Sequence, residues 1–150
     1  MKKSILLLAL TFAAFMVKAQ DDDSGLKISG SVDTYFKYDF AGSPENIETS
    51  FANEHNSVSI GMVDIALEQT VGKASFVGEV SFGPRSEGSV YYPNIQNLYV
   101  SYAFSDKFSM TAGYMGTFVG YEVISPTGNF NYSTSRLFTN GPFQNAGLRA

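Results

Sequence analysis

From residue 26 onward the side chains alternate in character with a period of two, not 3.6. In residues 26 to 40 the even positions read Leu26, Ile28, Gly30, Val32, Thr34, Phe36, Tyr38 and Phe40, and none is charged. The odd positions read Lys27, Ser29, Ser31, Asp33, Tyr35, Lys37 and Asp39, four of them charged. Successive side chains of a strand point to opposite faces, so such a segment has one apolar and one polar face. A chain patterned this way throughout is all-β.

The pattern recurs. Ala74, Phe76, Gly78, Val80 and Phe82 oppose Lys73, Ser75, Glu79 and Ser81; Leu98, Val100, Tyr102 and Phe104 oppose Asn97, Tyr99, Ser101 and Ala103; Phe108, Met110, Ala112 and Tyr114 oppose Lys107, Ser109, Thr111 and Gly113. Residues 57 to 71 break step. Val58, Ile60 and Met62 share one parity, whereas Val63, Ile65 and Leu67 share the other, opposite Asp64 and Glu68. A one-residue slip exchanges the faces, so a β-bulge is expected near Met62-Val63. The alternative is a Val58 end that rises above a membrane.

The connections alternate in length. Residues 41 to 55 are long and polar, Val71-Gly72-Lys73 is tight, residues 84 to 94 are long, Ser105-Asp106-Lys107 is tight, and residues 116 to 143 are very long. Long outer loops alternating with short periplasmic turns mark an outer-membrane barrel. A soluble β-sandwich, as in an adhesin or a carbohydrate-binding module, is the rival, because it also alternates. Against it stand the systematic loop asymmetry, strands long enough to span a tilted bilayer, and aromatics at strand ends: Tyr38, Phe40 and Phe82 at one, Phe104 and Phe108 at the other. The expected fold is a transmembrane antiparallel up-and-down β-barrel over residues 26–150. Five strands and the start of a sixth at Gln144–Arg149 are countable, fewer than the eight of the smallest single-chain bacterial barrels. The segment is therefore expected to be the N-terminal portion of a longer barrel, incomplete alone.

Residues 1–19 read as a secretory signal peptide. Lys2 and Lys3 precede an apolar run from Ile5 to Val17 interrupted by Thr11, followed by a small-residue cleavage site at Ala19. That run is too short for a spanning helix. Removing it takes three of the ten basic residues and leaves seven against 14 acidic, a net charge of −7. Such acidity argues against nucleic acid as a partner. Residues 20–25 form an acidic periplasmic spacer; Asp21, Asp22 and Asp23 are more simply a solvated tail than a calcium site. The absence of Cys excludes disulfides, thiolate metal sites and a cysteine nucleophile, and the single His excludes a histidine metal cluster. No cofactor is expected.

At Gly113-Tyr114-Met115-Gly116, Gly120-Tyr121-Glu122, Asn129-Phe130-Asn131-Tyr132-Ser133 and Gly141-Pro142-Phe143-Gln144-Asn145-Ala146-Gly147-Leu148-Arg149 the chain resembles the OmpL-like β-barrel porin family of Gram-negative outer membranes. Gln69-Thr70-Val71-Gly72 and Tyr99-Val100-Ser101-Tyr102 fit the same resemblance. It implies a pore for small solutes in a chain of several hundred residues, and brings no catalytic residues. The expected partners are outer-membrane lipid, small hydrophilic solutes and the barrel-assembly machinery; association of like copies is compatible with the class.

In a pore the polar face meets water, so Asp33, Lys37, Asp64, Glu68 and Glu79 are the pore-lining candidates. Segment 116–143 is the candidate constriction loop, with Glu122 and Arg136 as its only charges. An acid facing a base across a lumen would set a transverse field, although loop charges are more often solvated. The loop aromatics are better explained by packing than by a sugar slide. Catalytic readings are poor. His55 has no triad spacing, and nothing fixes Glu68 and Glu79 as a glycosidase pair. Gly113 and Gly116 precede no helix that could cradle phosphate. An enzyme on the same barrel remains a third, weaker alternative.

Overall fold

Each alternating segment forms a strand in the computed structural model, which describes residues 25–40, 42 and 51–150. The signal segment and Asp21–Asp23 lie outside the described residues. The strands are β1 (Lys27–Phe36), β2 (Val58–Val71), β3 (Ala74–Phe82), β4 (Ile95–Ser105), β5 (Phe108–Gly116) and β6 (Gln144–Arg149). They form one six-stranded sheet in the order β1-β2-β3-β4-β5-β6, each antiparallel to its neighbour. The result is an open up-and-down meander, with β1 and β6 as its edges.

The tight turns fall at Gly72-Lys73 and Asp106-Lys107. Gly72 has φ +60°, the positive value that a type II′ hairpin needs at its first central residue. All three long connections therefore emerge at the opposite end of the sheet. Two carry single-turn helices, α1 (Pro84–Glu87) and α2 (Arg136–Thr139). Pro84 at the first helical position and Ser135 as N-cap, accepting a hydrogen bond from Phe138 N at 3.1 Å, explain where these turns start.

Burial is inverted relative to a soluble sheet. The apolar face is bare: Ile28, Val32, Phe36, Val58, Ile60, Ile65, Leu67, Phe76, Val100 and Leu148 are exposed, Val32 to 80%. No outward position on any of the six strands carries a charge. Among the described residues the buried apolar side chains are Ala52, Met62, Tyr114, Met115 and Ile124, outnumbered by buried polar ones that include Asp64, Ser81, Arg85, Gln96 and Thr111. A sandwich would press Leu26, Val32 and Phe36 against a second sheet; no second sheet covers them among the described residues. Aromatic side chains cluster at the tight-turn end, where Phe104 lies 4.9 Å from Tyr102 and 5.6 Å from Phe108.

The break in step on β2 is a bulge. Val32 pairs with Val63 and Thr34 with Ile60, so Asp33 opposes both Gly61 and Met62. The bulge sits one residue earlier than the sequence suggests. It returns Val58 and Ile60 to the face of Val63, Ile65 and Leu67 and turns Met62 inward, where it is buried. The Val58 end thus keeps its apolar face outward. Three further departures from the sequence reading appear. β1 ends at Phe36, so Lys37 lies just beyond the strand, where its carbonyl accepts from Asn56 N at 2.8 Å. Tyr114, in register with Leu98 and Ala146, is not bare, because Tyr92 stacks edge-on at 5.1 Å and Tyr91 N donates to its hydroxyl. The very long connection is built, with α2 and a 3-10 turn at Pro126–Gly128.

Candidate functional site

Segment 117–143 leaves β5 and folds back over the polar face of β1 and β2. Its base is closed by Thr117, whose Oγ1 donates to Pro142 O at 2.7 Å. Its middle is braced by Asn129, which accepts from Val123 N at 2.9 Å and donates to Val123 O at 2.7 Å. Ser135 donates its N–H at 2.7 Å and its hydroxyl to the Glu122 carboxylate, fixing the start of α2. An acid beside a helix N-terminus is also favoured by the helix dipole.

Two carboxylates of the wall catch this segment. Asp64 accepts from Ser31 N at 2.7 Å, from Ser31 Oγ at 2.9 Å and from Ser125 Oγ. Asp33 accepts the Tyr132 hydroxyl at 2.7 Å, and the Tyr132 ring leans on Tyr35 with centroids 5.5 Å apart. Burial above all, and then the bond to Asp33, push the Tyr132 phenol well above its ordinary pKa, so it remains a donor. Gly61 makes the meeting sterically feasible: a Cβ there would overlap Asp33 Oδ2 and come within 2.6 Å of Tyr132 Oη.

Arg85 closes the arrangement. It stands on α1, in the connection between β3 and β4, and is 0% exposed. Its Nε donates to Ile124 O at 2.6 Å and its Nη1 to Tyr132 O at 3.2 Å. Its guanidinium lies 5.4 Å from the Tyr132 ring and 5.9 Å from the Phe51 ring. Burial pulls its pKa below the usual value, while Tyr132 and the Asp33 charge push it back up; a guanidinium nonetheless stays cationic. α1 itself is pinned by Ser89 Oγ donating to Arg85 O at 2.6 Å and by the Ser81–Ser86 hydroxyl pair at 2.7 Å. Phe51, from the connection between β1 and β2, holds a positive φ of 56°, a backbone state that a bulky residue keeps only when its ring is held.

The sequence candidates are therefore unequally placed. Asp33 and Asp64 meet on the wall under the folded segment. Glu79 lies one strand further, opposite Ala66, and accepts from Asn97 Nδ2 at 2.5 Å. Glu68 is nearer the tight-turn end, in register with Lys27. Lys37 donates to Ala52 O at 2.6 Å beyond β1. Glu122 and Arg136 are neighbours at the start of α2, with Glu122 taken up by Ser135 and Arg136 exposed, so they do not face each other across a gap. His55 accepts from Asp39 N at 3.3 Å and stacks on Tyr38 at 5.2 Å. Arg85, Ser125 and Tyr132 are the central residues that pattern reasoning does not single out. Pro84 and Gly88 are the signals that could have found the helical turn carrying Arg85.

Between the folded segment and the wall lies a cavity of about 100 Å³ bordered by Gln96, Asn97, Glu122, Ile124 and Gln144. It has room for a few waters, not for a solute path. Among the described residues no group of three His, Cys, Asp or Glu side chains could hold a metal, and no helix is long and apolar enough to cross a membrane. A family model described as "Putative beta-barrel porin-2, OmpL-like" matches residues 25–150. No curated protein and no solved structure matches the chain.

Proposed function

Because the chain belongs to the OmpL-like β-barrel porin-2 family, we propose that it forms part of the wall of an outer-membrane pore through which small hydrophilic solutes diffuse passively. The observation that carries this reading is the inverted burial: the sheet turns uncharged, apolar side chains outward and keeps its carboxylates, hydroxyls and amides on the other face. Acyl chains wet the first face and water the second. Lipid offers no hydrogen-bond partner, so the free edges of β1 and β6 must be paired by further strands to close the wall. The signal peptide directs export; the tight turns face the periplasm and the long connections the exterior.

Segment 117–143 then narrows the lumen from inside, with Asp33, Asp64, Glu68, Glu79 and Lys37 on the water side. This reading is transport without chemistry, as membership of a porin family suggests. The test uses the protein as its gene encodes it. It should sediment with outer membranes, require detergent for extraction, and give stepwise conductance in a planar bilayer. Recovery as a soluble periplasmic monomer, or a folded detergent-extracted protein without conductance, would overturn the reading.

A further inference from the structure

The diffusion reading leaves unexplained why an arginine is completely buried in a connection between strands. A buried guanidinium is costly unless its donors are used and its faces covered. Here its Nε and Nη1 reach carbonyls eight residues apart on a single segment, Ile124 O and Tyr132 O. The aromatic rings near it come from two different connections, Phe51 and Tyr132. All three long connections therefore converge on one side chain. The stretch between its two acceptors is also the stretch that Asp64 holds through Ser125 and Asp33 through Tyr132.

We propose that Arg85 is the positioning residue of the pore restriction: its rigid planar fork ties segment 117–143 to α1 at two points and fixes that segment against the wall at one depth. The restriction is thus a fixed part of the wall and not a swinging flap. The assignment rests on the diffusion reading for its consequence, though not for its geometry. Lysine could not substitute, because a single ammonium presents no planar fork to two separated carbonyls and stacks less well between rings.

The test compares wild type, Arg85→Met and Arg85→Lys in the detergent-extracted protein, with heat-modifiable electrophoretic mobility as the check that each is folded. The first readout is proteinase K cleavage between residues 117 and 143, located by mass spectrometry. Arg85→Met is expected to be cut on the order of tenfold faster than wild type, since cleavage follows the population of locally opened segment, and Arg85→Lys to fall between. The second readout is single-channel conductance, expected to rise on the order of twofold with added closures as the segment leaves the lumen. If Arg85→Met does not fold, Arg85→Lys, which keeps the charge, carries both measurements. Cleavage and conductance unchanged in a folded variant would overturn the assignment while leaving the diffusion reading standing. Faster cleavage in a protein that never conducts would keep the tie and remove the pore.

Discussion

At the scale of single residues, the inner wall depends on a few side chains whose partners lie far away in sequence. Gly61 is one. It sits in the bulge of β2 beside the Asp33–Tyr132 bond, with no room for a methyl group. Gly61→Ala should displace the Tyr132 hydroxyl and leave Asp33 short of a donor. A hydrogen bond to a charged group contributes about 1.5–3 kcal/mol, so a loss of that order is expected in urea unfolding of the folded barrel. Asp64→Ala should cost at least as much, because it strands the Ser31 amide and two hydroxyls at once. Asp64→Asn, which keeps one acceptor oxygen, should cost less than Asp64→Ala. Equal stability of all three variants and wild type would show that these bonds are replaced by water.

At the scale of elements, the strands were legible and the connections were not, for a physical reason. A strand announces itself through local alternation, and β2 to β6 begin and end within a residue or two of the alternating segments. Even the bulge in β2 was visible as a change of parity between Ile60 and Val63, although a Val58 end rising above the membrane would explain that change as well. A connection announces only its turn residues. Nothing local marks Arg85 among Gly83, Pro84, Ser86 and Glu87 as buried, since its partners Ile124 and Tyr132 lie 39 and 47 positions away. The same gap made Glu122 and Arg136 resemble a facing pair, when Glu122 is taken up by Ser135, the N-cap of the helix that Arg136 begins. The two faces of the strands give a direct test. Ile65 faces outward, between Gly30 and Val80, whereas Ser29 faces inward, opposite Ala66. Ile65→Arg should destabilise the membrane-embedded barrel by about 2–4 kcal/mol, the cost of a cation on the lipid face near mid-bilayer. Ser29→Lys should be nearly silent. A reversed order in equilibrium unfolding from lipid vesicles would mean that the faces are wetted the other way.

At the scale of the whole molecule, the sign of the charge on the water side decides which solutes pass most easily. Around the folded segment the wall and the segment bring together Asp33, Asp64, Glu79 and Glu122 against one exposed cation of the segment, Arg136, whereas Arg85 is sealed behind Phe51 and Tyr132. Lys27 lies in register with Glu68 at the tight-turn end, and Lys37 donates to the Ala52 carbonyl. Low-dielectric walls focus the field of such a cluster into the lumen, so cations should be enriched there. In a potassium chloride gradient the reversal potential should lie on the potassium side of zero. The preference should be clear near 0.1 M salt, where the screening length is about 10 Å, and should fade near 1 M, where it is about 3 Å. Glu79→Gln should weaken the preference without much change in conductance, because glutamine can still accept from Asn97 while carrying no charge. Anion preference in the wild-type channel would mean that basic side chains beyond these six strands outweigh the acidic wall, and selectivity would then have to be sought on the strands that close it.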